Sequence, residues 1–175
     1  AGNMNNCLAE EICAAIEQRF LDEGHPSDMT IMSGSGIGDM GPVGGVFRGF
    51  EHFAHDGMIR RVIVGHNGSN HTIMQMQQDL KVESYNFPQG VIEHMFKARA
   101  RGMDVELTKV GLGTFVDPRQ EGGKTNSVTT KDLVEVVNVM GQEYLAYKTP
   151  KIDVALIRGT TADEEGNLTC EDEAV

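Results

Sequence analysis

Apolar residues recur every fourth position near the start of the chain, at Leu8, Ile12, Ile16 and Phe20, while Glu10, Glu11 and Gln18 occupy other faces. The spacing predicts an amphipathic helix, with Asn5 or Asn6 available to cap it and Gly24, His25 and Pro26 to stop it. A short apolar run at 29–32 then ends in Ser33, Gly34, Ser35 and Gly36. The same order returns: Val62, Ile63 and Val64 end in Gly65, His66, Asn67 and Gly68, and a helix follows with Ile73, Met76 and Leu80 on one face. Residues 82–87 read as a strand ending in Pro88, Gln89 and Gly90. The helix after it carries Val91, Ile92, Met95 and Phe96 and stops at Gly102. Two further runs, 105–110 and 154–157, end in Gly111, Leu112, Gly113 and in Arg158, Gly159, Thr160.

Short apolar runs alternating with amphipathic helices predict an α/β fold: an open, mostly parallel sheet with helices on both faces. Residues 133–139 and 143–147, joined through Met140 and Gly141, add a β-hairpin, and 161–169, turning at Glu165-Gly-Asn167, a second. The apolar runs close on glycine or small polar residues, and in open α/β sheets ligands sit beyond the carboxyl ends of the strands. The glycines, 21 in 175 residues, are thus concentrated where a site should lie.

Composition narrows the partners. A hydrophobic share of 39 % with 23 % charged residues is that of an ordinary globular domain. A formal net charge of -11 argues against nucleic acid and against an anionic membrane surface, and no apolar run is long enough to span a bilayer. It leaves room for one anionic small molecule at a locally positive site. Cys7, Cys13 and Cys170 have no metal-ligand spacing and read as reduced thiols, so a cytoplasmic location is expected. No signal peptide is visible, and both ends of the chain read as cut.

Residues 36–41 match the G-x-G-x-x-G pattern, but Pro42, Gly44 and Gly45 follow where a phosphate-binding helix would have to begin, so a site loop is expected instead of a dinucleotide fingerprint. His52 with His55, and His66 with His71, lack a firm zinc spacing and read as hydrogen-bonded or solvated histidines; no metal is expected. Two stretches say more. Phe87-Pro-Gln-Gly90 lies where a strand meets a helix, so Gln89 and Gly90 would present backbone N–H groups and one amide to an oxyanion. A simple capped helix start fits these residues equally well. Residues 111–126 form a long glycine-rich loop carrying Asp117, Arg119 and Lys124; the two cations could meet an anion, or the loop could be structural.

At that loop the chain resembles a known family. Gly113-Thr-Phe-Val-Asp-Pro-Arg119 with Gly122-Gly-Lys-Thr-Asn126 is similar to the family I coenzyme A transferases, closest to the propionate and short-chain acyl-CoA:acetate enzymes. Glu51-His-Phe-Ala-His-Asp-Gly57, Gly65-His66, Tyr85-Asn-Phe-Pro-Gln-Gly90, Glu143-Tyr-Leu-Ala-Tyr147 and Val154-Ala-Leu-Ile-Arg-Gly-Thr-Thr-Ala-Asp163 agree with it. The resemblance implies that residues 1–175 are the N-terminal α/β domain of an enzyme, incomplete at both ends, whose second domain or subunit is absent. It implies transfer of coenzyme A, as substrate, between a short-chain acyl-CoA and a carboxylate such as acetate. The path would run through an acyl-glutamyl anhydride and a glutamyl-CoA thioester. The catalytic glutamate would lie outside this chain, which alone should be inactive; none of Glu51, Glu83 or Glu93 sits in a matching context. By the same resemblance Gln89 and Gly90 face the thioester, and Gly113, Thr114 and Phe115 line the cleft. Ser35, Gly36, His66, Gly122, Gly123 and Lys124 are further cleft-loop candidates. A homo-oligomer is expected by analogy. Two alternatives stay open at this level: a non-catalytic module binding a CoA ester, and a related acyl-CoA hydrolase or citrate-lyase-type transferase subunit.

Overall fold

The computed structural model describes residues 8–36, 38, 48–66, 68 and 70–173. Asn5, Asn6, Cys7, Asn67 and most of the G-x-G-x-x-G stretch lie outside them.

The first helix, α1 (Glu10–Glu23), is built of good helix formers and ends at Gly24, whose left-handed φ of 72° lets its N–H bond Phe20 O at 2.8 Å. Ala9, not an asparagine, holds its N-cap position. Of the predicted apolar stripe, Ile12 is 45 % exposed and Cys13 is buried in its place. Steps of four residues advance about 40° beyond a full turn, so a strict every-fourth pattern drifts off the buried side.

Three strands, β1 (Met29–Ser33), β2 (Ile59–Val64) and β3 (Glu83–Asn86), form a parallel sheet in the order β1-β2-β3. Their registers align Met32, Ile63 and Tyr85 on one face and Ile31, Val62 and Ser84 on the other. Period-2 alternation sends neighbouring side chains of β2 into two separate cores. Val62 and Val64 pack with Cys13 of α1 and with Ile73 and Met76 of α2 (His71–Gln78). Ile63, Tyr85 and Phe87 pack with Val91, Ile92 and Met95 of α3 (Gln89–Ala100). Helices thus cover both faces, and the carboxyl ends of all three strands open at one edge.

A second, antiparallel sheet has the order β4-β6-β5, from β4 (Val105–Thr108), β5 (Val134–Val139) and β6 (Gln142–Lys148). The expected hairpin is β5–β6, turned by Met140 and Gly141 at φ values of 53° and 81°. β4 does not extend the parallel sheet; it pairs antiparallel with β6, Val105 opposite Lys148. Leu107 is 47 % exposed, the one-sided burial that antiparallel sheets tolerate and parallel ones do not. The second hairpin, β7 (Thr161–Ala162) with β8 (Leu168–Thr169), also forms, its turn held by Asp163 accepting N–H bonds from Glu165 and Asn167. The apolar run 154–157 is not a strand: Val154 and Ile157 are mostly exposed, while Leu156 rests on the α1–α2 core. An apolar run becomes a strand only where another strand edge meets it. Leu80 likewise falls beyond the end of α2, half exposed at φ 59°.

The Glu51-His-Phe-Ala-His motif forms a short 3-10 helix (Gly49–Phe53) pinned to α1. His52 donates from Nε2 to Glu10 Oε1 at 2.9 Å and from Nδ1 to Glu17 Oε2 at 2.5 Å, and His55 donates to Glu17 Oε1 at 2.6 Å. Carboxylates only accept, so His52 bonds both as an imidazolium. Burial pulls its pKa down, but the two acids outweigh burial and hold it above the ordinary histidine value. For Glu17 burial pushes upward, and the hydrogen bonds from the histidines win, leaving it below the ordinary range. The His52 contribution to stability is therefore complete below about pH 6.5 and lost as pH rises through the raised value. That of Glu17 is present above about pH 4.3 and lost as pH falls through the lowered one. In full-length protein, the advantage of wild type over His52→Gln in urea midpoint should be larger at about pH 5.5 than at about pH 9. Equal advantages at both would rule out the charged clamp.

Candidate functional site

The glycines that close β1 and β2 meet the start of α3. Gly65 N–H donates to Ser33 O at 3.3 Å. A Cβ at Gly65 would overlap the carbonyl oxygen of Gly34 and come within 3.0 Å of Gln89 Cα, so only glycine lets the three segments approach this closely. Phe87 N–H and the Asn86 side-chain amide both donate to Val64 O, at 3.1 and 3.3 Å, tying the end of β3 to that of β2. Pro88, at φ -56° and ψ 131°, turns the chain into α3 as its N-cap, and its carbonyl takes the N–H groups of Val91 and Ile92 at 2.9 and 3.1 Å. The N–H groups of Gln89 and Gly90 have no acceptor inside the helix, and both residues are exposed at the carboxyl edge of the sheet. The end of a twelve-residue helix adds partial positive charge there.

Glu93 lies one turn on from Gln89, with its carboxylate over Gly34, where a Cβ would overlap Oε1. The four-residue spacing that puts Gln89 and Glu93 on one helix face is visible in the sequence. The neighbouring Ser35 is buried, its hydroxyl donating to Gly36 O at 3.4 Å. His66 is exposed, its ring folded over Gly68, where a Cβ would lie 2.6 Å from Nε2.

The 111–126 loop is a chain of turns organised by one buried carboxylate. Asp117 accepts from Gly113 N–H at 2.8 Å, Arg119 N–H at 3.0 Å, Arg119 Nε at 3.0 Å and Nη2 at 2.8 Å. The Arg119 side chain, then the Gly113 N–H, hold its carboxyl well below the usual range. Thr114 donates to Gly111 O at 2.8 Å, and Phe115 O accepts from Gly123 N–H at 3.1 Å. Both loop cations are engaged by protein acids: Arg119 also reaches Glu143 at 3.1 Å, and Lys124 pairs with Asp132 at 2.5 Å. Acids two to twenty-four residues away thus engage both cations within the protein.

The end of this loop covers the free edge of β3. Asn86 N–H donates to Gly123 O at 2.8 Å, Thr125 N–H donates to Ser84 O at 3.0 Å, and Lys124 bridges Tyr85 in antiparallel sense. Gly123, at φ 74°, lies on Phe87, where a Cβ would meet Cε1 at 2.6 Å. Asn126 donates to Gln77 O and Val82 O, joining the loop to the turn after α2. Exposed Phe115 shares an open hollow of about 620 Å³ with Asn86, Thr125, Asn126, Met74 and Leu80. The candidates thus fall into two groups on either side of Asn86-Phe87. Gln89 and Gly90 sit by Gly34 and Gly65; Phe115 and Gly123 sit by the strand end. Gln89 is not among the residues lining the hollow, and no hydrogen bond joins it to Gly113, Thr114 or Phe115 among the described residues.

The overall fold is shared with known proteins. A sequence model of the coenzyme A transferase family matches residues 11–175, and the chain belongs to that family. It is 44 % identical over 164 residues to caffeate CoA-transferase of Acetobacterium woodii, covering 94 % of this chain and 30 % of that protein. It is 36 % identical over 167 residues to the acetate CoA-transferase YdiF of Escherichia coli K12, covering 95 % and 30 %. The crystal structure of the acyl-CoA transferase YdiF of E. coli O157:H7, in a thioester complex with CoA, superposes with a TM-score of 0.91 at 36 % identity. That match covers 99 % of this chain and 33 % of the other. The chain therefore spans about a third of the length of these relatives. Among the described residues no group of three or more His, Cys, Asp or Glu side chains is placed to hold a metal, and no helix is long and apolar enough to cross a membrane.

Proposed function

We propose that the protein containing residues 1–175 transfers coenzyme A from a short-chain acyl-CoA to a carboxylate such as acetate, with this segment as its N-terminal α/β domain. A glutamate on a second domain or subunit attacks the thioester carbonyl. The carbonyl electrons collect on oxygen, CoA leaves as thiolate, and an acyl-glutamyl anhydride forms. The thiolate then attacks the glutamyl carbonyl, releasing the first carboxylate and leaving a glutamyl-CoA thioester. The acceptor carboxylate attacks that thioester, and the returning thiolate takes the acceptor's acyl group, freeing the glutamate. In this reading Gln89, with the N–H groups of Gln89 and Gly90, stabilises each oxyanion. The Gly113–Phe115 turn, with Gly122, Gly123 and Lys124, forms the neighbouring wall; Ser35, Gly36 and His66 border it. The observation that carries the reading is the Gln89 helix start, held against Gly34 and Gly65 with donors exposed at the sheet's carboxyl edge. The acetate in the name of one relative supports a carboxylate such as acetate, while the caffeate in the name of the other is a larger, aromatic carboxylate.

The test is to incubate the full-length protein with propionyl-CoA and then with borohydride. One glutamate outside residues 1–175 should be reduced to the alcohol, with loss of activity. No reduced glutamate, or one within this segment, would count against the proposal. Release of free CoA at the same rate with and without acetate would mark the protein as a hydrolase instead.

A further inference from the structure

We propose that Glu93 is a specificity-determining residue that turns away acceptor acids and acyl groups bearing a second negative charge; this rests on the functional reading above and narrows it to monocarboxylates. Gln89 and Glu93 lie four residues apart on α3, so their side chains leave the same face one turn apart. Both reach the end of β1. A Cβ on Gly34 would overlap Glu93 Oε1 and lie 3.4 Å from Gln89 Cγ. Glycine at 34 therefore leaves room for a carboxylate beside the residue proposed to meet the oxyanion. Glu93 is exposed there, as Gln89 and Gly90 are.

This segment does not neutralise that charge. All 15 of its lysines and arginines lie among the described residues, and none of them, Lys97 one turn further on included, makes an ion pair or hydrogen bond with Glu93. The cations of the glycine-rich loop are engaged elsewhere, Arg119 by Asp117 and Glu143, and Lys124 by Asp132. Glu93 holds the fifth position of α3, beyond the first turn in which an acid stabilises a helix end, so the helix dipole gives little account of it. The effect on a substrate acts through space. When one carboxyl group rests on the Gln89 and Gly90 donors, a second one, two methylenes along, reaches roughly one helical turn, ~5.4 Å, which is the step from Gln89 to Glu93. Two like charges with no cation between them disfavour that substrate, whereas an apolar or neutral tail meets no such penalty.

The experiment compares full-length wild type with Glu93→Gln and Glu93→Lys, using propionyl-CoA as donor and either succinate or its monoamide, succinamate, as acceptor. These two acceptors have nearly the same shape and differ by one charge. The assay runs at about pH 8, where an exposed imidazole such as that of His66 is neutral. Wild type should favour succinamate in kcat/KM. In Glu93→Gln that preference should fall about 10-fold, the scale of a like-charge approach in partly exposed protein, and in Glu93→Lys it should fall further. Raising the salt from about 0.01 M to about 0.15 M should weaken the preference of wild type more than that of Glu93→Gln. The same preference in wild type and Glu93→Gln would overturn the proposal, whether or not the Tm changes, and would leave Glu93 as a surface charge of the helix. Wild type that accepts acetate but not succinamate would also overturn it, because size and not charge would then select the substrate. If wild type transfers CoA to neither acetate nor succinamate, the functional reading fails and the proposal falls with it; transfer with an unaltered preference overturns the proposal alone.

Discussion

Gly65→Ala should lower CoA transfer by the full-length protein about 100-fold, the scale of loss that a 1 Å misplacement in an active site produces. The added methyl has nowhere to go. Its nearest neighbours are the Gly34 carbonyl oxygen and the Cα of Gln89, backbone atoms that no rotamer change can move. Either β1 and β2 part at their carboxyl ends or α3 slides away, and both displace the Gln89 and Gly90 N–H groups from the oxyanion they are proposed to stabilise. Overpacking of this kind costs about 1–3 kcal/mol, so the variant should still fold with a lowered Tm. Steady-state kinetics with a short-chain acyl-CoA and acetate, beside a thermal melt, provide the check. A near-normal kcat in a folded Gly65→Ala protein would show that Gln89 does not contribute to the reaction from where it sits.

Asp117→Ala should destabilise the protein by about 1–3 kcal/mol, because it removes the buried carboxylate that takes charge-assisted hydrogen bonds from Gly113 and Arg119. It should also loosen the loop that presents Phe115 and Gly123. The carboxylate gathers the Gly113 and Arg119 amides and the Arg119 guanidinium, and Arg119 in turn bonds Glu143 on β6. Without it, nothing else in the loop draws those donors together. Because Asp117 has its carboxyl pulled far down, its contribution is complete above about pH 4 and is lost only as pH falls toward the depressed value. The difference in urea midpoint between wild type and Asp117→Ala should therefore be flat from about pH 5 to about pH 9. A difference that vanishes near neutrality, or none at all, would show that the loop is held by other contacts.

Much of the fold was legible along the chain because the signals are local. The Met140-Gly141 turn, the glycine stop of α1 and the Pro-Gln-Gly junction each depend on a few adjacent residues. The clusters of glycine read from the sequence fall at the carboxyl ends of β1 and β2, where Gly34 and Gly65 meet Gln89. Local pattern failed where a partner had to be chosen. The 105–110 run read as one more strand of the mostly parallel sheet, and only its antiparallel pairing with β6 placed it in the second sheet. The 154–157 run had every local mark of a strand and no edge to join.

The candidate site divided in the same way. Gln89 and Gly123 stood out in the sequence because unusual backbone demands select proline and glycine. Asn86, Glu93 and the structural duty of Asp117 did not, since asparagine and acids are common on any surface. His52 and His55 illustrate the limit best: three residues apart, they fit a metal pair or an ion pair, and the answer lies in Glu10 and Glu17, 42 and 35 residues from His52. Periodicity and turn chemistry, acting over a few residues, determined which segments become helices and strands, where the glycines fall and to which family the motifs point. Contacts between distant segments decided which strand edge the glycine loop covers, which acids neutralise Arg119 and Lys124, and what presses on Gln89. Short-range sterics are written into each stretch of chain, whereas hydrogen bonds and ion pairs between remote side chains exist only once the packed structure brings them together.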